Sequence, residues 1–343
     1  MAQVRSAQDL TKLGIAIFEA VGATSENARG VVSSLVGANL AGHDSHGVIR
    51  IPSYVQDIKA GRLKPAATPE LTRETTATAT IDGAATFGQV GARLTAQTAA
   101  RKARDGGLAA AALFHAGHTG RIGEWAELGA AQGMVTFVAG SGPHGPHQAA
   151  PFGGRAASLG TNPFSWGVPR ADGKPPILLD YATTGAAQGK LMVARAKKEP
   201  VPPGWILDKD GRPTTDVEDF YAGGVLLPYA GHKGYAMSVI VELLAVGMSG
   251  GERIPRSERA SCLFVACFDP KAFRPDDEFL QTVERVAGRL QAVPPAEGFS
   301  EVLLPGEPEE RTRSQRSEEG IPLPDATWDA IQSVAGELGV AAG

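Results

Sequence analysis

The segment Ala41–Val55, AGHDSHGVIRIPSYV, places His43, Asp44, Ser45, His46, Arg50 and Tyr54 within fifteen residues. Histidine exchanges a proton near neutral pH because its unperturbed pKa is about 6.5. Arginine grips a carboxylate through two parallel charge-assisted bonds. His46 with Arg50 therefore suits a substrate that carries a carboxylate beside a carbonyl or hydroxyl, with Ser45 polarising that oxygen. Asp180, closing the run Ile177-Leu-Leu-Asp180, is the carboxylate expected to fix the His46 tautomer. The alternative is a solvated turn between helices, since Gly42, Gly47 and Pro52 punctuate the segment.

Other constellations compete. Six of the seven histidines form H-x-x-H pairs: His43 with His46, His115 with His118, and His144 with His147. Metal coordination by these pairs would need a third ligand in a recognisable spacing, and no H-E-x-x-H or nearby Cys supplies one, so no metal is expected. Gly140–Gly145 matches G-x-G-x-x-G after a strand-like run, but Pro143, Pro146 and Pro151 oppose the helix that a dinucleotide fingerprint requires. No acidic residue follows at the ribose-binding distance, so a Rossmann site is rejected there. Cys262 and Cys267 lie five positions apart in a strand-like run, which puts them on opposite faces as buried small hydrophobes.

These residues must be carried by a frame. At 343 residues, with 43% hydrophobic content, about two domains are expected. A net charge of -4 and 6% aromatic residues argue against a nucleic-acid partner. The first residues lack a basic segment before an apolar run, and Glu242 interrupts the greasiest stretch, Ala236 to Met248; the expectation is a cytoplasmic protein with no membrane span. Ser6 with Asp9 starts a helix over Leu10, Leu13, Ile17 and Val21; a second runs from Thr24 or Ser25 to about Leu40, and Pro52 opens a third, ending near Gly61. From about Leu71 strands and helices alternate, an α/β texture. The charged run Gly306–Gly320 reads as an exposed helix laced by i,i+4 pairs, and another helix follows from Asp325.

Ten segments occur in one collinear series: Gly42-His-Asp-Ser-His-Gly47, His118-Thr-Gly-Arg-Ile-Gly-Glu124, Pro151-Phe-Gly-Gly154, Gly160-Thr-Asn-Pro163, Leu179-Asp-Tyr-Ala-Thr183, Gly189-Lys190, Pro203-Gly-Trp205, Asp216, His232-Lys-Gly-Tyr235 and Leu304-Pro-Gly-Glu307. Together they resemble the type-2 malate/L-lactate dehydrogenase family from about Ala7 to Gly339. The resemblance implies an NAD- or NADP-dependent oxidoreductase that interconverts small 2-hydroxy and 2-oxo acids. It also implies an α/β (α+β), non-Rossmann fold and a homodimer. A helical substrate domain, residues 1–70 with about 235–260 and 308–343, would sit beside a mostly antiparallel sheet domain binding the dinucleotide, about 71–234 and 261–307. Carried over by motif, His46 is the proton donor, and His118 matches a position also assigned as catalytic in some members. Tyr54, Thr161 and Asn162 join Arg50 on the substrate side. Ser141, Tyr181, Ala182, Thr183, Thr184, His232, Lys233, Gly234, Pro305, Gly306 and Glu307 match cofactor-contacting segments. The Pro/His-rich loop Gly142–Gln148 and Ser261 depart from the family pattern. Cyclic imine carboxylate reduction, metal-dependent hydrolysis or isomerisation, and nucleotide binding without turnover stay open as alternatives.

Overall fold

The computed structural model describes residues 2–145, 147–256, 258 and 260–341, so Pro146 of the departing loop lies outside the described residues. Strand β1 (Ala2–Arg5) leads into helix α1 (Ala7–Ala20), whose start is fixed by the Ser6 hydroxyl accepting from the Asp9 amide. Thr24 caps α2 (Ser25–Leu40) in the same way. Two 3-10 turns, Asp44–His46 and Val48–Arg50, then enter α3 (Ile51–Lys59), with Pro52 in its first turn. Apolar residues at helical spacing, among them Leu13, Ile17, Phe18, Val32, Leu35, Ile51 and Tyr54, close these helices into one core.

The chain continues through β2 (Glu70–Glu74), β3 (Thr78–Asp82), α4 (Gly88–Gly106), β4 (Leu108–Ala116), α5 (Gly123–Ala130), β5 (Val135–Ser141), β6 (Phe164–Val168) and β7 (Ile177–Tyr181). Next come α6 (Gln188–Lys197), β8 (Ile206–Leu207), β9 (Pro213–Thr214), α7 (Val217–Tyr221), β10 (Val225–Leu226) and α8 (His232–Glu242), which runs on as a π-helical turn, Leu243–Gly247. The chain closes with β11 (Ser261–Phe268), α9 (Asp276–Gln291), α10 (Glu307–Glu319), β12 (Ile321–Pro324) and α11 (Asp325–Glu337).

The large sheet is mixed and has the order β2-β3-β4-β11-β5-β6-β7, in which only β3 and β4 pair in parallel. Alternation along β5 sends Val138 towards α4 and α5 and Ala139 towards Val241 of α8, so helices cover both faces. The α4 face is lined with alanines (Ala92, Ala96, Ala99, Ala103), which let the helix approach the sheet closely. Cys262 and Cys267 are free and buried in different clusters, as their odd spacing requires.

Four features depart from the sequence expectation. Residues 235–260, grouped there with the helical part, pack on the sheet: Val241 meets Ala139 and Phe164, and Val246 meets Cys262. The cause is tertiary, since a long apolar helix carries no label saying which core it joins. Strands β1 and β12 pair antiparallel and were not foreseen, and neither was the small sheet β10-β8-β9. Finally, the ionic contacts of α10 run mostly to other parts of the chain rather than to i,i+4 neighbours. Among the described residues no helix is long and apolar enough to cross a membrane.

Candidate active site

The polar segment after α2 is wrapped around one side chain. Asn39, 1% exposed near the end of α2, donates from Nδ2 to Asp44 Oδ1 at 2.7 Å and accepts the Val48 amide on Oδ1 at 2.8 Å. Gly47 lies against that amide so closely that a Cβ there would sit 2.2 Å from Asn39 Oδ1, so no larger residue fits. The resulting loop presents Ser45, His46 and Arg50. Ser45 Oγ lies 2.9 Å from His46 Nδ1, and Arg50 Nε donates to the Ser45 carbonyl at 2.6 Å. This holds the arginine stem, and among the described residues the guanidinium has no carboxylate partner.

The second histidine arrives from the turn between β4 and α5. The His46 and His118 rings stack with centroids 5.4 Å apart and planes 26° from parallel. Tyr54 Oη sits 2.7 Å from His118 Nδ1 and accepts from Gln89 Nε2 at 3.0 Å, which leaves its own proton for the His118 nitrogen. Burial pushes the Tyr54 hydroxyl up to about 12, so it stays protonated. His46 is pushed down to about 3, first by burial and then by the positive charges of Arg50, His43 and Arg121, so the free site holds a neutral imidazole.

Asp180 does not meet His46 as expected. Its Oδ2 accepts the Gly123 amide at 3.1 Å and faces Arg121 Nη1 at 3.6 Å, while Ser45 is the partner of His46 Nδ1. Burial raises the Asp180 pKa, and Arg121 opposes the rise. A Cβ at Gly123 would lie 2.3 Å from Asp180 Oδ2, so only glycine lets the carboxylate seat at this helix start. Arg121 is 4% exposed; its Nη2 donates to Glu127 at 2.6 Å.

Two substrate-side expectations also change. Asn162 is 1% exposed, and its amide is fully engaged: Nδ2 donates to the Ser238 carbonyl and hydroxyl and to Glu242, while Oδ1 accepts from Ser141. It ties α8 to its loop and has no group left for a substrate. Tyr54 is committed to His118 and Gln89, so it orients the histidine from behind. The Thr161 carbonyl accepts the amide and hydroxyl of Thr183.

Apart from Ser141, which bonds Asn162, the residues expected at the cofactor fall into two places. A cavity of about 500 Å³ is lined by Phe152, Gly185, Trp205, Tyr229 and Gly231, among others. Tyr181 packs edge-on against Tyr229 with centroids 5.5 Å apart, the Thr183 carbonyl accepts the Tyr229 amide, and Thr184 bridges to Pro228. The start of α8, at His232, Lys233 and Gly234, follows at once, with no side chain capping it. Gly189 of α6 brings this region to the His46 loop, since a Cβ there would touch Ser45 Cβ at 3.4 Å. Pro305, Gly306 and Glu307 lie elsewhere, closing the edge of β7: Leu178 donates to the Pro305 carbonyl, and Glu307 accepts the Leu304 amide.

The H-x-x-H pairs do not gather. His43 faces Glu309, His115 bridges Asp82 and Glu258, and His144 bonds the Ile254 carbonyl. After the Gly140–Gly145 motif, no helix occurs among the described residues before Phe164. Sequence reasoning missed Asn39, Gln89 and the roles of Arg121 and Arg316. Arg121 stood inside one of the ten collinear segments and Arg316 inside the charged run read as an exposed helix; Asn39 and Gln89 read as ordinary helix residues.

Comparison with known proteins identifies the family. A model of the malate/L-lactate dehydrogenase family matches residues 5–332. Hydroxycarboxylate dehydrogenase B of Escherichia coli O157:H7 is 41% identical, the match covering 97% of this chain and 94% of that protein. The solved sulfolactate dehydrogenase of Methanocaldococcus jannaschii superposes with a TM-score of 0.91 at 30% identity, covering 99% of this chain and 98% of that one. The delta1-piperideine-2-carboxylate reductase of Pseudomonas syringae does so with 0.81 at 28%, covering 97% and 100%. On the extent of these matches, the chain belongs to the malate/L-lactate dehydrogenase family.

Proposed function

We propose that this chain interconverts a small 2-hydroxy acid and its 2-oxo acid using NAD or NADP, with His46 as the acid/base. The observation that carries this reading is the Arg50 guanidinium, held by its Nε yet without a carboxylate partner among the described residues, on the loop that carries a neutral His46. Such a fork receives a substrate carboxylate bidentately and sets the neighbouring carbon and oxygen against the imidazole. Relatives named for hydroxycarboxylates and sulfolactate support the same substrate class.

The chain's residues fit a dinucleotide. The cavity between Phe152, Trp205 and Tyr229 suits a planar base, and the uncapped start of α8 with Lys233 suits a diphosphate. When bound, the nicotinamide supplies or accepts the hydride. In the oxidative direction His46 takes the hydroxyl proton, Ser45 at Nδ1 leaving Nε2 for that role. In the reductive direction His46 must be protonated, and a carboxylate on Arg50 offsets one of the charges that depress it, so substrate binding favours proton uptake at the ring. The helical part would thus handle the substrate and the sheet part the dinucleotide. Exposed Ile240, Leu243 and Met248 along α8 and its continuation support a second copy as partner, giving a homodimer.

A panel of 2-oxo acids, each with NADH and NADPH and followed by cofactor absorbance, tests the reading; turnover of none would remove it. The likeness to a piperideine-carboxylate reductase favours one rival. Turnover of a cyclic imine carboxylate without turnover of any 2-oxo acid would replace carbonyl by imine reduction.

A further inference from the structure

Helix α10 contains no buried residue, yet one of its faces lies on the catalytic loop. Arg316 meets Asp44 with both ends of its fork, Nη1 to Oδ1 at 2.7 Å and Nη2 to Oδ2 at 3.1 Å, and also donates to the Asn39 carbonyl. One turn earlier Arg313 reaches Glu127 at 3.3 Å, and Glu127 holds Arg121, which faces Asp180. Thr312 covers Gly42, where a Cβ would lie 3.2 Å from its Cγ2, and Glu309 stands 3.7 Å from His43. Positions 309, 312, 313 and 316 share one side of a helix. Without an apolar face, charge and hydrogen bonding must dock this helix.

We propose that α10 is a strap on the catalytic loop, with Arg316 a positioning residue that holds Asp44, and through it Ser45, His46 and Arg50, in working register. The proposal rests on the reading of His46 and Arg50 as acid/base and carboxylate groups. Asp44 is shared between Arg316 and Asn39, and Asn39 in turn fixes Val48, so both ends of the His46 turn depend on one carboxylate. Arg316 touches no reacting atom; its effect passes through the loop.

The test is Arg316→Gln in the full chain, beside Asp44→Asn and Arg311→Gln, with the best 2-oxo acid of the panel as substrate. Arg311 lies on the same helix but pairs with Glu301, away from the loop. Arg316→Gln should lower kcat by about tenfold to 10²-fold, as displacement of reacting groups does, with NADH affinity changed by about twofold or less. The melting temperature should stay within about 2 °C, because a partly solvated pair contributes little to global stability. Arg316→Lys should recover part of kcat, the double variant with Asp44→Asn should be no worse than the poorer single one, and Arg311→Gln should match the wild type. Amide exchange over residues 42–50 should quicken in Arg316→Gln and Asp44→Asn. Unchanged kcat and exchange in both variants, or an equal loss in Arg311→Gln, overturns the strap. If no 2-oxo acid is turned over, the proposed function fails while the exchange measurement still decides the strap.

Discussion

The two sides of the site are built in opposite ways. On the proposed acid/base side, the bonds within the His46 loop join residues close in sequence, Asn39 to Asp44 and Val48, Ser45 to His46 and Arg50 to Ser45, and Arg316 braces Asp44 from outside the loop. On the proposed cofactor side, Phe152, Gly185, Trp205 and Tyr229 come from separate segments that only the tertiary fold unites. Groups that exchange a proton must keep one mutual geometry, and a short, cross-bonded loop around a buried amide secures it. A surface that recognises a large planar ligand needs shape, which several segments supply together.

The contrast can be broken at its strongest point first. His46→Ala should reduce kcat by about 10² to 10⁴ while cofactor binding persists, measured by steady-state rates and a binding titration. Intact turnover would move the acid/base role to His118. Next, Arg50→Gln should lower kcat/KM by about 10²-fold, mostly through KM, since a charged, bidentate contact is lost. The same variant sharpens the electrostatic picture. A base works in its neutral form, which exists above its pKa; with His46 held down to about 3, by burial and then by Arg50, oxidation should show no His46 inflection between pH 8 and about 5. Removing the Arg50 charge should move the acidic inflection upward, and an unmoved profile would deny the coupling. The smallest effect is expected across the site, where Trp205→Ala should weaken cofactor binding about tenfold and leave kcat near wild type at saturating cofactor.

The legible parts of the fold were those written locally. Ser6 and Thr24 announce their helices, Pro52 opens α3, and the Thr-rich alternation before Gly83 gives β3. The polar loop was visible for the same reason, because its reactive groups lie together in the chain. Asn39 was not, since an amide near a helix end looks like any solvated residue until the loop folds over it. The α10 charges misled in a related way: each arginine has a glutamate within reach along the helix, but Arg316 pairs with Asp44, and Arg313 divides itself between its helix neighbour Glu310 and Glu127; no spacing records the nearness of Asp44 or Glu127. Asn162 and Tyr54 were read as substrate-side residues, but their side chains are engaged within the protein, as orientation is decided by what is packed behind them.

The pairing of β1 with β12 sets the order in which the molecule can be made. The helical core laid down first, around Ile17, Phe18 and Leu35, is completed by Ile321, Leu323, Trp328 and Ile331. During synthesis the opening helices therefore remain without their last partners until nearly all of the intervening chain has emerged, whereas the sheet can close as soon as β11 arrives. So high a sequence separation slows closure and leaves apolar surface open meanwhile. The nascent helices are thus the part of this protein with most to gain from a chaperone.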